Sequence, residues 1–241
     1  RGSLGVLTAG IGHELNNPLF GIVGLGEAIQ TETDLARAKS YARDIVAQGQ
    51  RMAGIIRDFT GVTTRDQTTP QHAVVLEREL DQALATTATA VDMTHIVVLR
   101  EYPGDTRVLA HPDQLRQAFA NLLTNAVQAM RSQGTLRVSV TVADTTATIR
   151  CSDSGTGISA QHLSKVFDPF FTTKGQGEGS GLGLTVARRI IRKFGGDIRL
   201  ESLEGHGTTC VVTLPVLPPS SQEGSWTASE PHSQPQPSHS Y

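Results

Sequence analysis

Cysteine is scarce in this chain. Only Cys151 and Cys210 occur among 241 residues, both in stretches that read as strands. So low a count excludes a disulfide framework and makes a reducing compartment the simpler expectation. Charge of one sign is missing too: 21 Lys and Arg face 23 Asp and Glu, a formal net charge of −2. Such a balance gives no reason to expect nucleic acid or an acidic membrane surface as partner. No apolar run approaches the ~20 residues that span a bilayer, and no secretory leader opens the chain. No initiator Met precedes Arg1. The expectation is a soluble, cytoplasmic fragment without membrane contact of its own, which a membrane anchor or sensor module could precede. What remains, 38% hydrophobic and 18% charged residues, is the composition of a globular protein with a real core.

Apolar side chains at Leu4, Leu7, Ile11, Leu15, Leu19, Ile22, Leu25 and Ile29 trace one face of a helix. Polar residues from Thr31 to Asp34 interrupt them, and a second stripe runs through Tyr41, Ile45, Met52, Ile55, Phe59 and Val62. Two such helices form a hairpin whose stripes are half covered until a second copy completes a four-helix bundle. A homodimer through the hairpin is therefore expected. Thr63 to Gln71 reads as a linker. Beyond it the pattern mixes strand and helix: strands at Ile96–Leu99 and Arg107–Leu109 around a turn at Pro103-Gly104, then a helix over Pro112–Met130 opened by its Pro. A hairpin follows over Leu136–Val142 and Ala147–Ser152, then a helix over Gly181–Phe194 closed by Gly195-Gly196, then strands at Ile198–Ser202 and Thr208–Leu214. This order predicts an α+β chain with helices on one face of an antiparallel or mixed sheet. From Pro218, Ser, Pro, Gln and His dominate, which predicts a disordered tail or linker carrying an exposed Trp226.

His13 lies two positions from both Ile11 and Leu15, so it points away from the apolar stripe. Glu14 is its neighbour, Asn17 lies one turn on, and Pro18 removes a helical donor and should bend the helix there. An outward imidazole beside a carboxylate suits nucleophilic attack, the carboxylate orienting the ring and taking its proton. A plain surface histidine is the competing reading of this segment alone.

Four clusters follow in the second half. Asn121 and Asn125 share a helix face, where amide oxygens could complete the shell of a Mg²⁺ held mainly by phosphates and water. Asp153-Ser154-Gly155-Thr156-Gly157-Ile158 follows a strand, and a carboxylate there could accept from an exocyclic amine such as that of adenine. Phe167 to Lys174 gathers three of the seven Phe beside a glycine run, as an apolar anchor for a mobile lid with Lys174 in reach of phosphate. Gly175, Gly177, Gly179, Gly181 and Gly183 then lead into a helix start, where backbone N–H groups cradle phosphate. No Gly-Lys-Ser/Thr follows, so this is not a P-loop. Taken alone, the asparagines could be helix surface, the Asp153 segment a tight turn and the Phe167 segment a core patch beside a surface loop. The glycine run could be a flexible linker, but a linker would not lead into a well-patterned helix.

In this order the segments closely resemble the sensor histidine kinases of two-component signalling. HELNNPL from His13 resembles that family's H-box, NLLTNA from Asn121 its N-box, and DSGTGI from Asp153 its first glycine box. FDPFFTTK from Phe167 resembles the F-box, GSGLGL from Gly179 the second glycine box, and Gly207-Thr208 the Gly-x-Thr feature beside adenine. The likeness spans roughly residues 3 to 215.

The resemblance implies a dimerisation and phosphoacceptor unit over 1–66, an α/β sandwich over 67–217 that binds ATP as in the histidine kinases and heat-shock ATPases, and a tail or linker over 218–241. It implies that ATP phosphorylates His13, that Glu14 is its base or orienting group, and that the phosphoryl group passes to an aspartate of a response regulator receiver domain. Asn17 resembles the position that aligns a water when such kinases also dephosphorylate that partner. Asn125 would bind Mg²⁺ with Asn121 in support, and Asp153 would accept from the adenine amine, with Gly155, Gly157, Ile158 and Thr208 around the base. Phe170, Thr172, Thr173 and Lys174 would belong to an ATP lid over Asp168–Ser180. Gly179, Ser180, Gly181, Leu182, Gly183 and Leu184 would line the phosphates. Related ATPases of this fold carry a Glu one turn before the metal-binding Asn to activate water; here that place is Asn121, which favours transfer to histidine over hydrolysis.

Overall fold

Apolar side chains every three to four residues, giving way to alternation, should fold as a helical hairpin followed by a sheet. The computed structural model has that order and describes residues 2–63, 71–175 and 179–218. Within the helices, the side chains of residues 2–11, 13, 14, 51 and 57–63 are not described. Helices α1 (Gly2–Thr31) and α2 (Leu35–Thr63) fold back on each other over a short connection. Asp34 sets the start of α2: its Oδ1 accepts from the Ala36 N–H at 2.8 Å and its carbonyl from Ala38 at 2.9 Å, the work of an N-cap. The helix therefore begins well before Tyr41, where the apolar stripe starts. The linker expected over Thr63–Gln71 is described only at its ends, and the tail from residue 219, with Trp226, lies outside the described residues.

The second unit is built on a five-stranded sheet in the order β2 (His95–Glu101), β4 (Gln133–Ala143), β5 (Thr146–Asp153), β7 (Thr208–Pro215) and β6 (Asp197–Ser202). Only the β2–β4 pair is parallel, so the sheet is mixed. Helices α3 (Leu76–Ala90), α4 (Pro112–Ala129) and α6 (Gly183–Lys193) pack together, and α4 and α6 lie on one face of the sheet. Alternation fixes that face: Leu136, Val138, Ile149, Cys151, Ile198, Val212 and Leu214 are buried beneath Phe119, Leu123 and Ile191. On the other face Arg150 on β5 reaches across β7 to Glu201 on β6 at 2.7 Å.

Two features depart from the sequence reading. The turn at Gly104-Asp105 exists, both residues at positive φ, but the strands flanking it do not pair. β2 joins the main sheet, while β3 (Arg107–Ala110) pairs antiparallel with β1 (His72–Val75) in a separate ribbon. The helix read from Gly181 starts at Gly183, because Gly181 has φ +65° and lies outside helical space. Its predicted end holds. Gly195 N–H donates to Arg192 O and Gly196 N–H to Ile191 O, both at 3.0 Å, the paired bonds of a Schellman cap. A short helix, α5 (Ala160–Leu163), precedes the lid segment.

Candidate nucleotide site

Strand β5 ends on Asp153 and β7 begins on Thr208, its register partner. Two positions behind them Cys151 and Cys210 are also register partners, and both are buried free thiols. Burial pushes the Cys151 thiol up to about 12 and that of Cys210 well above its ordinary value, so the pair behaves as core. Asp153 is half-buried. Its Oδ1 accepts from the backbone N–H groups of Gly155 at 2.9 Å and Thr208 at 3.2 Å. Burial raises its carboxyl above the ordinary value, against the lowering by those two bonds.

The hydroxyls of Thr208 and Ser202 share a 2.9 Å hydrogen bond. Ser202 Oγ also donates to Gly207 O at 2.9 Å and accepts from the Ile158 N–H at 2.8 Å. Ser202 thus ties both sequence motifs to the end of β6. No motif contains it; its one cue is its place opposite Thr208 in the strand register. Gly157 has φ +68°, and a Cβ there would lie 2.1 Å from Leu203 O. What approaches this glycine is the β6–β7 turn.

Across from this edge stands α4. Asn121 Nδ2 donates to the carbonyl of Gly183 at 3.2 Å, fixing the first residue of α6. Asn125 Oδ1 accepts from Lys174 Nζ at 3.3 Å, and the same ammonium donates to Gln128 Oε1. Gln128 was not singled out in the sequence, although its spacing of three from Asn125 puts it on the same face.

The segment from Phe167 to Ser180 is held at both ends. Thr185 Oγ1 donates to Phe167 O at 3.0 Å, and the Arg188 guanidinium lies 4.5 Å from the centre of the Phe167 ring. Phe170 sits at φ +66° and donates its N–H to Gly181 O at 3.1 Å. A Cβ on Gly181 would lie 2.4 Å from the Phe170 carbonyl carbon, so this glycine is required by the lid backbone. Thr172 Oγ1 accepts from the Lys174 N–H at 3.1 Å and Ser180 Oγ from the Leu182 N–H at 3.3 Å. Thr173 is exposed, and Gly179 is half-buried against the Lys174 stem. The Leu182 side chain is buried in the core, which leaves its backbone for any ligand.

These elements enclose a cleft of about 960 Å³, walled by Asn121, Asn125, Gly157, Ile158, Lys174, Gly183 and Leu184 among others. On one side Gly54 and Ile55 of α2 close it, where α2 packs against α6. Asp153, Gly155 and Thr208 are not among its walls; the cleft joins the phosphate-side residues to Gly157 and Ile158 of the base side and stops short of the carboxylate. Among the described residues no cluster of three or more His, Cys, Asp or Glu could hold a metal. Asn125 Oδ1 nonetheless faces a cation already, the Lys174 ammonium, and neutral oxygens of this kind suit a hard divalent ion that phosphates also ligate.

On α1 the backbone is helical through Pro18, and Asn17 is exposed. The side chains of His13 and Glu14 lie outside those described. No described helix is long and apolar enough to cross a membrane.

Residues 3–68 match the family described as the His Kinase A (phospho-acceptor) domain, and residues 110–218 match the histidine kinase-, DNA gyrase B- and HSP90-like ATPases. The chain is 32% identical over 222 residues to the signal transduction histidine-protein kinase AtoS of Escherichia coli K12, covering 91% of this chain and 36% of that protein. It is 33% identical over 217 residues to the sensor histidine kinase ZraS of the same strain, covering 89% and 46%. The chain thus spans less than half the length of these relatives. Among solved structures, the catalytic domain of histidine kinase ThkA aligns with TM-score 0.55 and 28% identity, over 61% of this chain and 96% of that one. Histidine kinase ThkA in complex with the response regulator protein TrrA shares the fold, with TM-score 0.72 at 24% identity, over 88% of this chain and 61% of that one.

Proposed function

Because the chain belongs to the sensor histidine kinases of two-component systems, we propose that it phosphorylates His13 from ATP and passes the phosphoryl group to an aspartate of a response regulator. The observation that carries this is the meeting of Asn121, Asn125, Lys174 and the glycine-rich start of α6 around one cleft, in the part of the chain that matches ATP-binding domains. Residues 1–66 serve as the dimerisation and phosphoacceptor unit, 67–217 as the ATP-binding unit and 218–241 as a tail or linker.

Phosphoryl transfer asks little covalent chemistry of a protein; positioning and charge neutralisation dominate. Asp153 accepts from the adenine amine with its unshared oxygen, and the Ser202–Thr208 pair keeps the Thr208 hydroxyl aimed beside the base. The N–H groups ahead of α6 and the Lys174 ammonium meet the phosphate oxygens. Asn125 Oδ1, supported by Asn121, would hold a Mg²⁺, which when bound neutralises the charge of the triphosphate. A ring nitrogen of His13 forms a bond to the γ-phosphorus while the bond from that phosphorus to the bridging β–γ oxygen breaks, releasing ADP. Glu14 takes the proton from the other nitrogen. Asn121 is an amide whose nitrogen is committed to Gly183, so no carboxylate stands there to activate water, and transfer to histidine is favoured over hydrolysis. Exposed Asn17, one turn from His13, suits alignment of a water for dephosphorylation of the partner.

Incubation with γ-labelled ATP and Mg²⁺ tests the reading. The parent chain should take up acid-labile label, His13→Ala none, and His13→Ala should bind ADP as the parent does. Acid-stable label, or label surviving in His13→Ala, would sink the assignment.

A further inference from the structure

We infer that Lys174 is a resident stand-in for the divalent cation, and that Gln128 is the positioning residue that parks it on Asn125 until metal and nucleotide arrive. The inference rests on the reading of the cleft as a Mg·ATP site. Asn125 and Gln128 are three residues apart on α4 and share a face. Their amide oxygens accept from one ammonium, Lys174 Nζ, at 3.3 Å from Asn125 Oδ1. The lysine is carried by the lid, where its own N–H donates to Thr172 Oγ1 at 3.1 Å. Its stem passes so near Gly179 that a Cβ there would lie 3.3 Å from Lys174 Cδ. The lid is thereby latched to α4 through the oxygen that a metal would use.

An ammonium and a divalent ion cannot both sit against Asn125 Oδ1, because like charges in contact repel even under strong screening. Entry of the metal requires Lys174 to leave, and the freed ammonium has the phosphates as its new partner. Metal binding and lid release are then one event. Nucleotide without metal leaves Lys174 parked, and by linkage whatever weakens the parking strengthens metal–nucleotide binding by the same factor.

Gln128→Leu separates the roles, since Gln128 is exposed and its loss leaves Asn125 and Lys174 in place. Calorimetry on the full chain would compare ADP with Mg²⁺ and ADP with chelator. The variant should bind Mg·ADP about three- to tenfold more tightly than the parent, the worth of one ordinary hydrogen bond at an exposed position, with metal-free ADP unchanged. In the Lys174→Met background, where no ammonium is left to park, adding Gln128→Leu should change Mg·ADP affinity no further. Unchanged or weaker Mg·ADP binding by Gln128→Leu would overturn the proposal alone, as would additivity in the double variant. A parent chain that bound no ADP under either condition would overturn it together with the reading beneath it.

Discussion

Asp153 is pulled two ways. Two backbone N–H groups favour its ionised form, yet burial outweighs them and its carboxyl titrates above the ordinary aspartate range. A carboxyl that accepts from adenine must be ionised, so ADP affinity should fall as pH drops into the acid range, earlier than for an ordinary aspartate. The stability effect has the opposite sense. A folded-state value raised above the unfolded one means that the folded chain holds more protons between the two. Stability is therefore lost, not gained, as pH rises through that window. Asp153→Asn removes this burden, keeps an oxygen for Gly155 and Thr208, and loses the charge. We predict ADP binding weaker by about 10- to 100-fold with a melting temperature at neutral pH equal to the parent's or higher. Normal ADP affinity, or a clearly lower melting temperature, would refute the assignment. Residues such as Asp153 and Asn125 were legible because their motifs are contiguous. Ser202 and Gln128 were not, since each enters the site through pairing or lid docking that no linear pattern records.

The junction between lid and α6 shows what an element needs beyond periodicity. Phe170 and Gly181 face each other, both at positive φ, joined by the Phe170 N–H to Gly181 O bond. Phenylalanine in that region is strained, and such strain persists where surrounding structure enforces it. Gly181→Ala would add a Cβ at φ +65° against the Phe170 backbone. It should lower ADP affinity about tenfold or more by displacing the lid, while the far-UV spectrum and the melting of the sheet stay as in the parent. Unaltered affinity would show that the junction does not govern the site. The helices with continuous apolar stripes and the β4–β5 hairpin were readable from local pattern. The pairing of β2 with β4 and of β1 with β3 was not, because their partners are distant in sequence and register rests on the assembled sheet. α3 escaped notice because its buried face, Leu76, Leu80, Ala83, Leu84 and Thr87, fades into Thr and Ala.

At the scale of the whole chain the two units are unequal in core. The sheet unit buries a contiguous cluster from Val74 to Leu214. Among the described side chains of α1 and α2, only Pro18 and Ile55 are buried, and Ile55 is at the cleft. Leu19, Phe20, Val23, Leu35, Val46 and Ile56 are exposed, Phe20 at 71%. Over its described side chains the hairpin lacks the burial that offsets chain entropy, burial that a second copy against its apolar faces would supply. The hairpin should then melt in a transition whose midpoint falls on dilution, because association stabilises by mass action, while the sheet unit melts at a fixed temperature. Circular dichroism at two concentrations a hundredfold apart, with sedimentation at each, decides the matter. A dimer by sedimentation with a shifting helical midpoint supports the bundle. A monomer whose hairpin melts at the same temperature at both concentrations would mean that contacts within one chain, such as α2 against α6, suffice to hold it.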